Sequence, residues 1–263
     1  MLFFVLKHYF SKRLFSGMKF ACENLTISYN KHPILHHITC DIKLNTTTAI
    51  IGPNGAGKST FLKAMLGQIK IDSGNLILDG IDKSDIAYLP QINTINNNLS
   101  LTVEDVVSLG VWYEIGAFKK VNKLHKERLN LALDQVGLSN FNNFYINELS
   151  MGQLQRVLLA KIILQDAKII VLDEPFSAID VETTRDILNL IDLWQISGKT
   201  IVSVLHEMNQ IVHFKYTLLL SRELIRYDLT SNIVNSDELQ LAYNKQHNWQ
   251  QNLQNNLDIC DRN

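Results

Sequence analysis

The spacing of apolar residues changes several times along the chain, and each change marks an element. Residues 20–29 read as a strand, followed by a turn at Asn30-Lys31-His32-Pro33. Over residues 38–44, Ile38, Cys40, Ile42 and Leu44 alternate with Thr39, Asp41 and Lys43, the period of a half-buried strand. Thr48-Ala49-Ile50-Ile51 is a short apolar strand, after which Phe61, Leu62, Met65 and Leu66 recur at helical spacing up to a stop near Gly67. Asp72-Ser73-Gly74 predicts a turn, Asn75-Leu76-Ile77-Leu78 a strand and Asp79-Gly80 a hairpin-type turn. Ile86-Ala87-Tyr88-Leu89 is a further strand, ended by Pro90 and Gln91.

Residues 92–98 are polar and rich in asparagine, the texture of a loop or hinge. Thr102-Val103-Glu104-Asp105 resembles a helix N-terminal cap, with helical patterning from Val106 onward. Residues 125–136 predict another helix, with Leu129, Leu133 and Val136 on one face and Gly137 as its stop. Residues 92–150 thus look like a helical insertion; with the start of the next helix they make a helical subdomain of about 92–160. Ser150 and Gln153 form an S-x-x-Q capping box, and Leu154, Val157, Leu158 and Ile162 supply the apolar stripe that follows. Ile169-Ile170-Val171-Leu172 shows no alternation, as expected of a parallel strand covered on both faces. Residues 181–195 are helical in pattern, Gly198-Lys199 a turn and residues 200–205 a second buried strand. Strands alternating with helices predict an α/β fold with a parallel sheet and right-handed crossovers, preceded by an antiparallel β region.

The two ends differ from this frame. Residues 1–17 are apolar and basic, with Lys7, Lys12 and Arg13 after the apolar run rather than before it, so they do not read as a secretory signal. They read as an extension from a start assigned too early, with an interfacial amphipathic anchor as the alternative. Residues 18–235 form the main domain, and residues 236–263, dominated by asparagine and glutamine, predict a flexible tail.

Composition narrows the picture modestly. A 263-residue chain with 46% hydrophobic and 19% charged residues suits one large α/β domain or two modest ones. A formal net charge of −1 argues against a broad basic surface for nucleic acid. Cys22, Cys40 and Cys260 lack C-x-x-C spacing and read as reduced and incidental. Nothing approaches the roughly twenty-residue apolar run that spans a bilayer.

The chemistry concentrates at strand ends. Gly52-Pro53-Asn54-Gly55-Ala56-Gly57-Lys58-Ser59-Thr60 matches G-x-x-x-x-G-K-[ST] and lies between a strand and a helix, where that motif must lie. Its glycines allow backbone N–H groups to converge on phosphate oxygens, and the helix directs its positive end to the same place. Lys58 is expected to reach the β- and γ-phosphates and the Ser59 hydroxyl to ligate Mg²⁺. Asp173 and Glu174 follow the strand ending at Leu172, where parallel sheets gather ligands. One carboxylate would hold Mg²⁺ and the other, Glu174, would polarise the attacking water; helix capping by the pair is the bland alternative. His206 follows the strand of residues 200–205 in the same way and is read as a γ-phosphate donor, while His8, His32, His36, His37, His125, His213 and His247 are read as structural.

The order of these elements resembles the ATP-binding cassette ATPases over residues 19–234. The most specific mark is Leu149-Ser150-Met151-Gly152-Gln153, similar to the family signature L-S-G-G-Q with Met151 in place of a glycine. The resemblance implies that Ser150, Gly152 and Gln153 close over the γ-phosphate of ATP held by the phosphate loop of a second copy of the chain. It implies that Gln91 touches Mg²⁺ and reports to a membrane partner, that Ser177-Ala178-Ile179-Asp180 lies at the dimer interface, and that Tyr29 stacks on adenine. His206-Glu207 stands where the family more often has His-Asp. Residues 101–107 and Val136-Gly137-Leu138 look like the cassettes of manganese, zinc and iron-chelate uptake systems.

Taken together these features predict an ATP-hydrolysing subunit, peripheral on the cytoplasmic face of the membrane. It would drive a separate permease that imports manganese, zinc or iron with an extracytoplasmic metal-binding protein. Transport of another solute, or a soluble cassette ATPase acting on ribosomes or DNA, are the competing functions. The single set of motifs and the compact insertion argue against the latter. The expected docking surface is the apolar surplus of the insertion: Val103, Val106, Val107, Leu109 and Trp112.

Overall fold

A computed structural model describes residues 17–29, 32–92, 100–116, 120–177, 179–237, 239 and 242, leaving aside the side chain of Tyr29. In chain order the elements are β1 (Lys19–Tyr29), β2 (His32–Asp41), β3 (Thr47–Ile51), α1 (Lys58–Met65), β4 (Ser73–Asp79), β5 (Ile86–Leu89), α2 (Val103–Ser108), α3 (Trp112–Ile115), α4 (Lys123–Gln135), α5 (Met151–Gln165), β6 (Ile169–Asp173), α6 (Val181–Ile196), β7 (Thr200–Val204), α7 (Met208–Ile211), β8 (Tyr216–Ser221), β9 (Glu223–Leu229) and α8 (Thr230–Val234). They fall into two compact units: Leu44–Thr46 with Ile81–Ser203, and Gly17–Lys43 with Thr47–Gly80 and the chain from Val204 onward. Among the described residues no helix is long and apolar enough to cross a membrane. The expectations for residues 1–16, for residues 93–98 of the 92–98 hinge and for most of the tail lie outside the described residues.

In the first unit β5 and β6 pair in parallel, Ile86 opposite Ile169 through Leu89 opposite Leu172, and β7 lies next to β6. Ile169, Ile170, Val171, Leu172, Ile201 and Val202 are all fully buried, so the missing alternation does reflect strands covered on both faces. Helix α5 buries Leu154, Val157, Leu158 and Ile162 as its spacing predicts, and packs against α2 and α4. Thr102 caps α2, its hydroxyl accepting from the Asp105 N–H at 3.2 Å while Asp105 accepts from the Thr102 N–H at 2.9 Å. Arg128 of α4 grips Glu114 of α3 through two bonds of 2.7 and 2.9 Å and also reaches the Leu164 carbonyl at 3.1 Å.

The expected docking surplus is largely absent. Val103, Val106 and Val107 are buried within the unit, because α2 is short and turns its whole apolar stripe toward α5. Leu109 and Trp112 do stay half exposed, joined by Tyr113 and Leu124.

The second unit holds an antiparallel sheet of order β2-β1-β4, together with β3 pairing in parallel with β8 and β8 pairing antiparallel with β9. The mixture matches the expected antiparallel region beside parallel strands. Three local expectations fail. His32 and Pro33 belong to β2 rather than to a turn, paired with Tyr29 and Ser28. Ser73 and Gly74 belong to β4, where Gly74 (φ +81°) faces a register shift in β1; a Cβ there would run into the Asn24 and Glu23 carbonyls. Asp79-Gly80 joins no hairpin, since β4 pairs with β1 and β5 with β6; Gly80 (φ +65°) instead leads into a 3-10 turn at Lys83–Asp85. Cys22 and Cys40 face each other across β1 and β2 as buried free thiols 3.3 Å apart, a proximity that their sequence spacing did not announce. At the edge of the tail, buried Ala242 accepts a hydrogen bond from Ser221 Oγ at 3.0 Å.

Candidate nucleotide site

Within the second unit, β3 delivers the chain to Gly52 and the loop ends in α1. Gly52, Gly55 and Gly57 all take left-handed φ values, +148°, +78° and +91°. At two of them close approach adds to the demand for glycine. A Cβ on Gly52 would collide with the Leu220 carbonyl, and one on Gly57 would lie 2.5 Å from Leu35 Cδ2. Gly57 is also the N-cap of α1 and offers no side chain, so the first N–H groups of the helix face the loop. Lys58 is 6% exposed and folds back, Nζ donating to the carbonyls of Gly52 at 2.8 Å and Pro53 at 3.0 Å. Pro53 and Ala56 are buried, Asn54 exposed, and Ser59 and Thr60 half-buried at the head of α1. The Ala56 carbonyl, receiving the Arg222 N–H at 3.0 Å, pins the loop from behind.

His206 is exposed in the same unit, next to Leu205, whose N–H donates to the Ile50 carbonyl at 3.1 Å. That bond places it at the end of β3 from which the phosphate loop departs. Tyr29 closes β1 opposite His32; its side chain, and so the expected stacking, lies outside the described residues.

Within the first unit, β6 ends at Asp173, 4% exposed. Tyr88 Oη of β5 lies 3.5 Å from Asp173 Oδ2; burial, helped by that carboxylate, pushes the phenol up to about 12. Glu174 takes a left-handed φ of +50°, and its carbonyl accepts the Ser177 N–H at 3.1 Å, closing a tight turn. Gln91, just past β5, donates from Nε2 to Glu174 Oε2 at 2.8 Å. The pairing of β5 with β6 therefore brings Tyr88, Gln91, Asp173 and Glu174 together. The Gln91–Glu174 bond was not foreseen. Another unforeseen contact lies behind it, Gln155 Nε2 donating to the Pro175 carbonyl at 2.9 Å. Its signal was a glutamine in line with Leu158 and Ile162 on an otherwise apolar helix face.

Ser150 caps α5 as predicted, Oγ accepting from the Gln153 N–H at 3.2 Å and its own N–H donating to Gln153 Oε1 at 2.9 Å. Met151 occupies the first helical position, half-buried, so a side chain is accommodated where the signature has glycine. A Cβ on Gly152 would have ordinary contact, 3.7 Å, with Asp180 Oδ2 and Thr183 Oγ1. Asp180 caps α6, accepting from the Thr183 N–H at 2.8 Å, which holds its carboxyl below the usual range. Of the residues expected to hold Mg²⁺, Ser59 lies in the second unit and Gln91 and Asp173 in the first; each side chain carries an oxygen, the hard donor type that suits that ion.

A loop with no room for a Cβ at Gly52 or Gly57, opening a helix and overlaid by a lysine, defines a phosphate-loop nucleotide-binding protein. The chain belongs to the ATP-binding cassette transporter family, whose ATPases hydrolyse ATP to power transport; the ABC transporter family model matches residues 35–177. It is 36% identical over 226 residues to the manganese transport system ATP-binding protein MntB of Listeria innocua, covering 84% of this chain and 94% of that one. Among solved structures, it resembles an inward-facing protein assigned to the metal-chelate type of ABC transporter, with TM-score 0.75, 30% identity and coverage of 86% and 88%. It also resembles the dimeric structure of MJ0796, a bacterial ABC transporter cassette, with TM-score 0.71, 26% identity and coverage of 80% and 98%.

Proposed function

We propose that this chain energises a membrane transporter that imports a divalent metal ion or metal chelate, namely manganese, zinc or iron. The observation that carries the proposal is the likeness to a manganese transport subunit across 94% of that subunit's length. Residues 18–235 act as the ATPase domain. Two copies work together, as in the dimeric cassette it resembles. In each, residues 52–60 hold the phosphates, Tyr29 stacks on adenine, and Ser150, Gly152 and Gln153 of the other copy close over the γ-phosphate. Lys58 offsets phosphate charge, His206 donates to the γ-phosphate, and Glu174 takes the proton of the attacking water. Ser59, Asp173 and Gln91 supply oxygen ligands for Mg²⁺, which when bound neutralises charge on the β- and γ-phosphates.

The subunit sits peripherally at the cytoplasmic face, held by a separate permease that touches the exposed Leu109, Trp112, Tyr113 and Leu124. An extracytoplasmic metal-binding protein supplies the cargo. The test is elemental analysis of cells that lack this subunit, grown under metal limitation. Manganese, zinc or iron should fall, and recover with the wild-type chain but not with Glu174→Gln. Normal levels of all three, with another solute failing to cross, would remove the metal assignment while leaving the ATPase intact.

A further inference from the structure

We propose that Gln155 is a positioning residue for Glu174, a role that rests on Glu174 being the base as proposed above. Glu174 combines two demands that conflict. It precedes Pro175, which biases its backbone toward extended conformations, yet its φ is +50°. A non-glycine residue persists there only when its surroundings over-determine it. Three hydrogen bonds do so. Ser177 N–H holds the Glu174 carbonyl and so the peptide that leaves the strained residue, Gln91 holds the carboxylate, and Gln155 holds the Pro175 carbonyl, fixing the next peptide along the turn.

The chemistry of Gln155 points the same way. It is 2% exposed on a helix that also buries Leu154, Val157, Leu158 and Leu159. A buried amide is unfavourable there unless it bonds, and leucine or methionine would serve packing alone better. Proline has no N–H and a fixed φ, so the place of its carbonyl constrains the turn directly. The same helix begins at Ser150, about one and a half turns away. The rod whose N-terminus carries the signature cap thereby also sets the aim of the carboxylate in its own chain.

The test is a double-mutant cycle in the full-length chain, using Gln155→Met, which keeps the volume and removes the donor. In the wild-type background turnover should fall about 10²-fold, as a small misplacement of a reacting group does, with KM for ATP and the thermal midpoint nearly unchanged. In the Glu174→Gln background the same substitution should cost nothing further in residual turnover. An equal loss in both backgrounds, or a loss expressed in KM, would show that Gln155 serves the fold at large and overturn the inference. Should Gln155→Met fail to fold, Gln155→Leu, apolar like its buried neighbours and without a donor, carries the same cycle. If Glu174→Gln alone leaves turnover intact, the base assignment falls, and the inference with it. If Glu174→Gln abolishes turnover but Gln155→Met does not lower it, only the inference falls.

Discussion

A methyl group added at Gly52 would run into the Leu220 carbonyl, whereas the same group at Gly67, also left-handed at +64°, would meet open space. The two glycines separate backbone strain from steric exclusion. Gly67→Ala should cost only about 1 kcal/mol and leave nucleotide affinity alone. Gly52→Ala must displace backbone of a neighbouring strand, so it should lower the thermal midpoint further and abolish binding of a fluorescent ATP analogue. Equal effects of the two would contradict the cradle described above. Glycine at positions 52 and 57 was readable from the motif, and the caps at Ser150 and Thr102 were readable from partners only three residues away. Glu174's left-handed angle, its bond to Gln91 and the bond from Gln155 to the Pro175 carbonyl were not. They join positions 83 residues apart in one case, and residues 20 apart support its turn in the other, through strand and helix packing that no local pattern encodes.

Elements behave likewise. Unbroken apolar runs identified β5, β6 and β7, and helical spacing identified α1, α4, α5 and α6, since burial on one or both faces leaves a periodic trace. The turns misled where glycine serves a close approach rather than a reversal, as at Gly74, and the stripe of α2 was assigned to a partner although α5 covers it. The helical region also contains a titration that can be tested. Hydrogen bonding to Arg128 holds the Glu114 carboxyl below its ordinary 4.5. A carboxylate with a depressed folded value contributes stability that is complete above its unfolded value and lost as pH falls through the folded one. Arg128→Gln should therefore lower the thermal midpoint at pH 7, where the pair is charged. Near pH 3 the gap between variant and wild type should narrow. A gap that stays constant from pH 7 to pH 3 would mean that Arg128 acts only through the Leu164 carbonyl and packing.

At the scale of the molecule, the proposal depends on two chains sharing two nucleotides, since Ser150 and the phosphate loop are assigned to different copies around each ATP. A base-deficient protein should be trapped in that state, because the nucleotide that holds it together is not consumed. Ser150→Arg, which puts a bulky cation at the α5 cap, should release it. The most direct measurement is the mass of the full-length Glu174→Gln protein by size-exclusion chromatography with light scattering, with and without ATP and Mg²⁺. The chain weighs 30.0 kDa, so the account predicts about 60 kDa with ATP and about 30 kDa without it. A mass that stays at that of one chain while ATP is demonstrably bound would contradict it.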